Sequence, residues 1–199
     1  MATKKSGVYD AILKQINAEM YSAYLYLQFS ADASAMKWNG AAAWLRAHAS
    51  EELTHATRFY DYLVRKGVDV KFDAIEKPAT GAKDLLEIFK AVYGHEIKVT
   101  AMINKIMETA VAEKDYAAIG ELQWFVTEQV EEEETVRDIV DMLEKAGKSP
   151  EALIFIDHQL GSQKEYFFLS FFSILSLRSG SCDKRYGSIH SSEKISFDV

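Results

Sequence analysis

The sequence predicts an all-α protein: a four-helix bundle with one long crossover and a short fifth helix. Three observations lead there. Only two prolines, Pro78 and Pro150, interrupt the 199 residues. The stretches between them and the few glycine-bearing segments repeat apolar residues at helical spacing, without the β-branched alternation of a strand. Each stretch is also far longer than an average helix.

Helix one is expected over residues 5–34, helix two over 40–66, helix three over 83–111 and helix four over 115–145. After Gly147, placed to end helix four, the run Ser149, Pro150, Glu151 reads as N-cap, first-turn proline and first-turn acid. A fifth helix should therefore cover about 150–162. Short links around Lys37–Gly40 and Glu113–Asp115 make helices one and two, and helices three and four, antiparallel neighbours. The segment from Gly67 to Ala82 could reach about 53 Å at roughly 3.3 Å per residue. Helix two is about 40 Å long. The segment can thus run the length of the bundle and set helices two and three parallel, the one-crossover topology.

Composition narrows the partners. Twenty-three Lys and Arg stand against 30 Asp and Glu, a formal charge of −7, with no block of basic residues. That argues against nucleic acid or an anionic membrane surface and favours cations. One cysteine, Cys182, allows neither an intrachain disulfide nor a cysteine-rich zinc site, which suits a reducing cytoplasm. No signal-peptide pattern and no run of about 18 apolar residues is present, so neither secretion nor a membrane span is expected.

The seams of the bundle carry the chemistry. In helix one the apolar stripe Val8, Ile12, Ile16, Ala23, Tyr26 is interrupted by Glu19. Helix two gives Leu45, His48, Glu52, His55, Phe59, Tyr62, helix three Leu85, Phe89, Val92, Glu96, Val99, Ile103, Ile106, and helix four Leu122, Phe125, Gln129, Glu132, Val136, Ile139, Leu143. At 1.5 Å per residue Glu19, Glu52, Glu96 and Gln129 lie roughly 18–21 Å into their helices. All are near mid-length, so they should converge whichever way each helix runs. A buried carboxylate loses its hydration and repels its neighbours, and a multivalent cation removes both costs. Glu52 and His55, three apart, share a face and can bind one ion. Carboxylates with a single imidazole and no thiolate suit iron or manganese better than structural zinc.

From about residue 5 to 163 the chain resembles the bacterial non-haem ferritins. The resemblance is carried by Glu19-Met20-Tyr21-Ser22, Gly40-Ala41-Ala42-Ala43, Glu51-Glu52-Leu53-Thr54-His55, His95-Glu96, Gln123-Trp124 and Glu128-Gln129. It implies a ferritin-like bundle, a hollow shell of 24 subunits, and storage of iron as a ferric mineral after oxidation of iron(II) by dioxygen. Carried over by position, a first iron would be held by Glu19, Glu52 and His55. Glu52 would bridge to a second iron held by Glu96 and Glu132, with Gln129 close by. A third iron would take Glu51, Glu128, Glu131 and, shared, Glu132; these flank the seam. Glu133 and Glu134 extend the run toward solvent.

In this scheme dioxygen takes one electron from each of two ions, and Glu52 is catalytic as the bridge. Tyr26, whose ring should lean toward the pair, is either an electron donor or a core tyrosine bonding a buried carboxylate, and both roles are compatible. Trp124 reads as packing, His48 as a core histidine, and His95 as pointing about 100° away from Glu96. Haem is not expected, because Leu53 stands where the haem-binding relatives have methionine and Glu131 replaces their second metal-binding histidine. A small-molecule di-iron oxidase and an inert shell subunit remain the rivals. The first typically pairs two Glu-x-x-His motifs around a substrate pocket, and the second would lack the central ligands.

Residues 164–199 depart from the family pattern. They begin with the aromatic run Tyr166-Phe167-Phe168-Leu169 and become serine-rich. The domain boundary is set at 163, with an atypical extension of unknown role beyond it. The extension holds five basic and four acidic residues, leaving the body at −8.

Overall fold

The computed structural model describes residues 6–78 and 81–162; the extension lies outside the described residues. Among the described residues five helices follow in order: α1 (Gly7–Ala35), α2 (Asn39–Arg65), α3 (Leu85–Glu113), α4 (Tyr116–Ala146) and α5 (Pro150–Ser162). The all-α class and the helix count agree with the sequence.

Two helix boundaries are informative. Helix three starts at Leu85, two residues later than its composition suggests, because Asp84 caps its N-terminus and the Glu87 side chain reaches back to the residue before the cap. The Asp84 carboxylate accepts from the Glu87 N–H (2.9 Å), and Glu87 accepts from the Lys83 N–H (2.8 Å). Helix four ends on Gly147, whose φ of 56° lies in the left-handed region that glycine tolerates best.

The core divides into two apolar clusters. One joins the C-terminal half of α1 (Leu25, Tyr26, Phe29) with the N-terminal halves of α2 (Trp44, Leu45) and α3 (Ile88, Phe89), the C-terminal half of α4 (Val136, Ile139), and α5. The other joins the opposite halves: Val8, Ile12 and Ile16 of α1, Phe59 and Leu63 of α2, Ile103 and Ile106 of α3, Leu122 and Phe125 of α4. Helices α2 and α3 therefore run in the same direction between the clusters, and α1 and α4 run opposite to them. That is the one-crossover topology. Between the clusters, at mid-length, lies a layer of buried Glu, Gln and His.

The crossover is pinned at its middle by a side chain that the helical pattern does not single out. Asn17 on α1 donates from Nδ2 to the carbonyls of Asp73 (3.2 Å) and Ala74 (3.1 Å) and accepts from the Asp73 N–H at 3.1 Å. The fifth helix docks against small residues. A Cβ on Gly40 would stand 1.7 Å from the Asp157 carbonyl oxygen, and the Asp157 carboxylate accepts the Ala41 N–H at 2.8 Å. The run Gly40–Ala43 thus lets α5 approach the start of α2 and satisfy one of its free N–H groups.

Candidate metal centre

Helices α1 and α2 bring Glu19, Glu52 and His55 together so that one ligand atom of each lies within 4.8 Å of the others. A second group on α2 and α4, Glu51, His55, Glu128 and Glu132, meets the same limit. His55 belongs to both. Glu19, Glu52, His55, Glu96, Gln129 and Glu132 are all buried, and Glu96 is fully enclosed.

The sequence sets Glu96 beside Glu52 and Glu132, but Glu96 is in neither compact group. Its oxygens are taken by donors: the Tyr26 hydroxyl reaches Oε1 at 2.9 Å, and the Gln129 amide nitrogen lies 3.4 Å from Oε2. Gln129 also contacts the Thr100 hydroxyl at 3.2 Å. Glu131 is exposed on the α4 surface and joins neither group, and Glu134 is exposed as expected. Glu133, expected to be solvated, is half-buried, and its charge adds to the much larger effect of burial in raising the pKa of Glu96. Helix four turns by about 100° per residue, and that step leaves Glu133 on the edge of the seam.

Further partners surround the layer, and of these Gln15 has no obvious sequence signal, while His48 is the core histidine expected of its place on the seam. Gln15, one turn before Glu19, donates to its Oε1 at 2.9 Å and is itself buried. Ser22 and His95 meet at 2.8 Å, tying α1 to α3 beside the layer. His48 stacks between Tyr26 and Trp44, with ring centroids 5.8 and 3.5 Å away, and its Nδ1 meets the Trp44 carbonyl at 3.1 Å.

Burial dominates the electrostatics. It pushes Glu19 to about 7, against Gln15 and Glu52 hydrogen bonds that pull the other way. Burial also pushes Glu96 to about 7, and Glu51 to about 8 with added repulsion from Glu128, Glu96 and Glu131. Glu52 and Glu132 are raised well above the ordinary range by burial and then by the surrounding carboxylates. The imidazoles are held neutral: burial lowers His55 to about 4 and His48 to about 3. Neutral imidazole is the form that ligates a metal.

Do these residues fit a cation? Glu19 Oε2 and Glu51 Oε2 are buried with no donor against them. What faces Glu19 is a second carboxyl, Glu52, and two acceptors can be joined only by a shared proton or a cation. The donor set of carboxylate oxygens with one imidazole and no thiolate matches iron or manganese.

Fold and site together define an all-α bundle with a carboxylate–histidine centre at its waist, the architecture that carries paired metal ions in bundle cores. The family model of the ferritin-like domain matches residues 9–146, and the chain belongs to that family. It is 41% identical over 158 residues to a bacterial non-heme ferritin of Escherichia coli, covering 79% of this chain and 96% of that one. A bacterial non-heme ferritin of Bacteroides fragilis is 40% identical over 154 residues, 77% of this chain and 96% of the relative. Among solved structures, an open-pore ferritin from the hyperthermophilic archaeon Archaeoglobus fulgidus matches with a TM-score of 0.78 at 40% identity, covering 81% and 98% of the two chains.

Proposed function

We propose that the protein stores iron, oxidising iron(II) with dioxygen at the mid-bundle centre and holding the product as a ferric mineral inside a shell of 24 copies in the cytoplasm. The single observation that carries this reading is the buried group Glu19, Glu52 and His55, whose carboxyls face each other with an oxygen left without a donor. Glu19, Glu52 and His55 take the first iron. Glu52, as the bridge, takes the second together with Glu96, Glu132 and Gln129. A third position uses Glu51, Glu128, Glu131 and the shared Glu132. Iron is here the substrate and the cargo, and no haem takes part.

The chain's own contribution is charge and enclosure. Bringing several carboxylates to one place favours iron(III) over iron(II), so each ion gives up one electron more readily to dioxygen. The two apolar clusters on either side exclude bulk water and raise the strength of every charge interaction between them. Tyr26 donates to Glu96 and so fixes one carboxylate of the second position. The family resemblance also makes Tyr26 a candidate electron donor.

Negative-stain microscopy after aerobic addition of iron(II) tests the storage role: hollow particles with electron-dense cores are expected, and small particles without cores would overturn it. For the centre, Glu52→Ala combined with His55→Ala should abolish rapid iron oxidation while circular dichroism stays helical. Unchanged oxidation would remove the centre from the mechanism.

A further inference from the structure

Two groups of ligand atoms lie side by side in the acidic layer, and one residue is common to both. In the inner group Glu19 of α1 meets Glu52 and His55 of α2; in the outer group Glu51 and His55 of α2 meet Glu128 and Glu132 of α4. The outer group consists of two pairs of residues four apart on facing helices, so each pair presents its side chains from one face. One turn further on, Phe59 stacks on Phe125 with centroids 3.7 Å apart, and the Arg58 Nε–H donates to Glu121 Oε1 at 2.7 Å. These contacts set α2 against α4 beside the group. Glu131, three residues after Glu128, is exposed and outside it.

The imidazole stands at the border. Its Nδ1 lies 3.4 Å from Glu52 Oε2, while its ring meets Trp124 and Phe125 of α4 edge-on, with centroids 5.4 and 6.1 Å away. The outer group calls for a cation on its own account. Glu51 Oε2 is enclosed without a donor, and Glu132 and His55 are only 6% and 3% exposed. Bonds of about 2.0–2.2 Å put two ligands of one ion up to about 4.4 Å apart. Ligand atoms within 4.8 Å of one another therefore close on an ion with a small side-chain shift. A neutral imidazole, however, has one nitrogen with a free lone pair, and the other carries the hydrogen. It serves one ion at a time.

We infer that Glu51, His55, Glu128 and Glu132 form a site for a divalent transition-metal ion that competes with the inner group for His55, so that an ion bonded to the imidazole in one group excludes such an ion from the other. The inference rests on the reading of the layer as a cation centre, and within it His55 stands where the family resemblance puts Glu131. The two groups differ in access: Glu51 and Glu128 are half-buried, whereas Glu19 and Glu52 are buried. The outer group receives an ion first, and the shared imidazole passes it inward.

Zinc(II), which is redox-inert, tests this without any turnover. Crystals of the metal-free protein equilibrated with graded zinc(II) give the occupancy of each group by anomalous scattering. In wild type the ions bonded to His55 in the two groups should sum to no more than about one per subunit. Glu19→Gln removes a ligand of the inner group alone, and the outer ion should then appear at roughly fivefold lower zinc. By linkage, Glu128→Gln should favour the inner ion in the same way. Glu128 is half-buried, so this second variant keeps the test open should Glu19→Gln fail to fold. Simple repulsion between two ions would give couplings of the same sign. Both are therefore measured again in a His55→Gln background, where they should fall to within about twofold. His55→Gln should also weaken the outer ion more than Glu131→Gln does. Zinc bonded to His55 in both groups at once, an outer ion held by Glu131 with the imidazole left out, or couplings that persist without His55 would overturn the inference and leave the cation centre standing. Absence of zinc from the whole layer would overturn both.

Discussion

The Tyr26 hydroxyl and the Glu96 carboxylate meet at 2.9 Å across the interior of the bundle, joining α1 to α3 inside the polar layer. Burial, and then the charges of Glu96, Glu132 and Glu52, hold the phenol well above its ordinary pKa, so it remains a donor at any physiological pH. Tyr26→Phe removes that donor from a fully enclosed carboxylate. The loss should cost about 1–3 kcal/mol in the metal-free protein, because a buried acceptor is left unsatisfied. Binding of the second ion should also weaken, since Glu96 is no longer oriented. Thermal unfolding and anaerobic iron(II) titration read the two effects separately, and a variant that matches wild type in both would show that the bond orients nothing.

Glu52 should show a reversal of sign. It is buried among carboxylates, and its charge is disfavoured first by burial and then by Glu96, Glu19 and Glu132. Glu52→Gln keeps the shape and removes the charge. In chelator-treated protein the variant should melt higher than wild type, and with a divalent ion present it should melt lower. Equal displacement in both conditions would mean that Glu52 carries no metal.

The metal-free protein should lose stability as pH rises from 6.5 to 8. Glu19, Glu96 and Glu51 are pushed to about 7, 7 and 8, mainly by burial, from an ordinary 4.5. Between those limits the native state holds protons that the unfolded chain has lost. Their stabilising contribution is therefore complete below about 4.5 and disappears as pH rises through 7–8. The buried histidines act in the opposite sense. Burial holds His48, His55 and His95 at about 3, 4 and 4 against an ordinary 6.5, so their contribution is complete above 6.5 and disappears on acidification toward 4. Above pH 6.5 only the carboxylates act, and a fall of about 1–3 kcal/mol is expected by pH 8. A saturating divalent ion should flatten the slope. Calorimetry across this window with and without chelator checks both, and a flat profile without metal would contradict the assigned shifts.

Gly40→Ala should loosen α5. The new methyl would need the backbone at Asp157 to retreat, since the oxygen stands 1.7 Å from an ideal Cβ. The cost should be about 1–3 kcal/mol, with faster amide exchange across α5. Asp157→Ala, which removes only the 2.8 Å bond to the Ala41 N–H, should cost about 1 kcal/mol. If both substitutions left α5 exchange unchanged, the contact would not be what holds that helix.

The helices were legible because their apolar stripes are long, and length suppresses the ambiguity that troubles short segments. The interruptions at Glu19, Glu52, Glu96 and Gln129 were legible for the same reason: each breaks a pattern sustained on both sides. What the stripe does not encode is the distance between helices. Asn17, Ser22 and Arg58 lie off the seam, where polar residues are the rule, and only the assembled bundle shows that Asn17 grips the crossover or that Ser22 meets His95. Glu96 illustrates the other limit. The periodicity places it in the layer, but whether its oxygens face Glu52 or the donors on Tyr26 and Gln129 depends on side-chain competition that spacing cannot resolve. The start of α3 was readable in principle, since Asp84 and Glu87 have capping-box spacing, and helical composition upstream obscured it.

The polar layer between the two apolar clusters also indexes the helices against one another. Sliding any one of the four long helices by a single turn, about 5.4 Å, would carry its carboxylate or amide into an apolar cluster and bring an apolar residue against the remaining acids. A bundle with uninterrupted seams would tolerate such a slip far more readily. The residues assigned to the chemistry thus act as a vernier for the whole molecule, allowing one alignment of four otherwise similar rods.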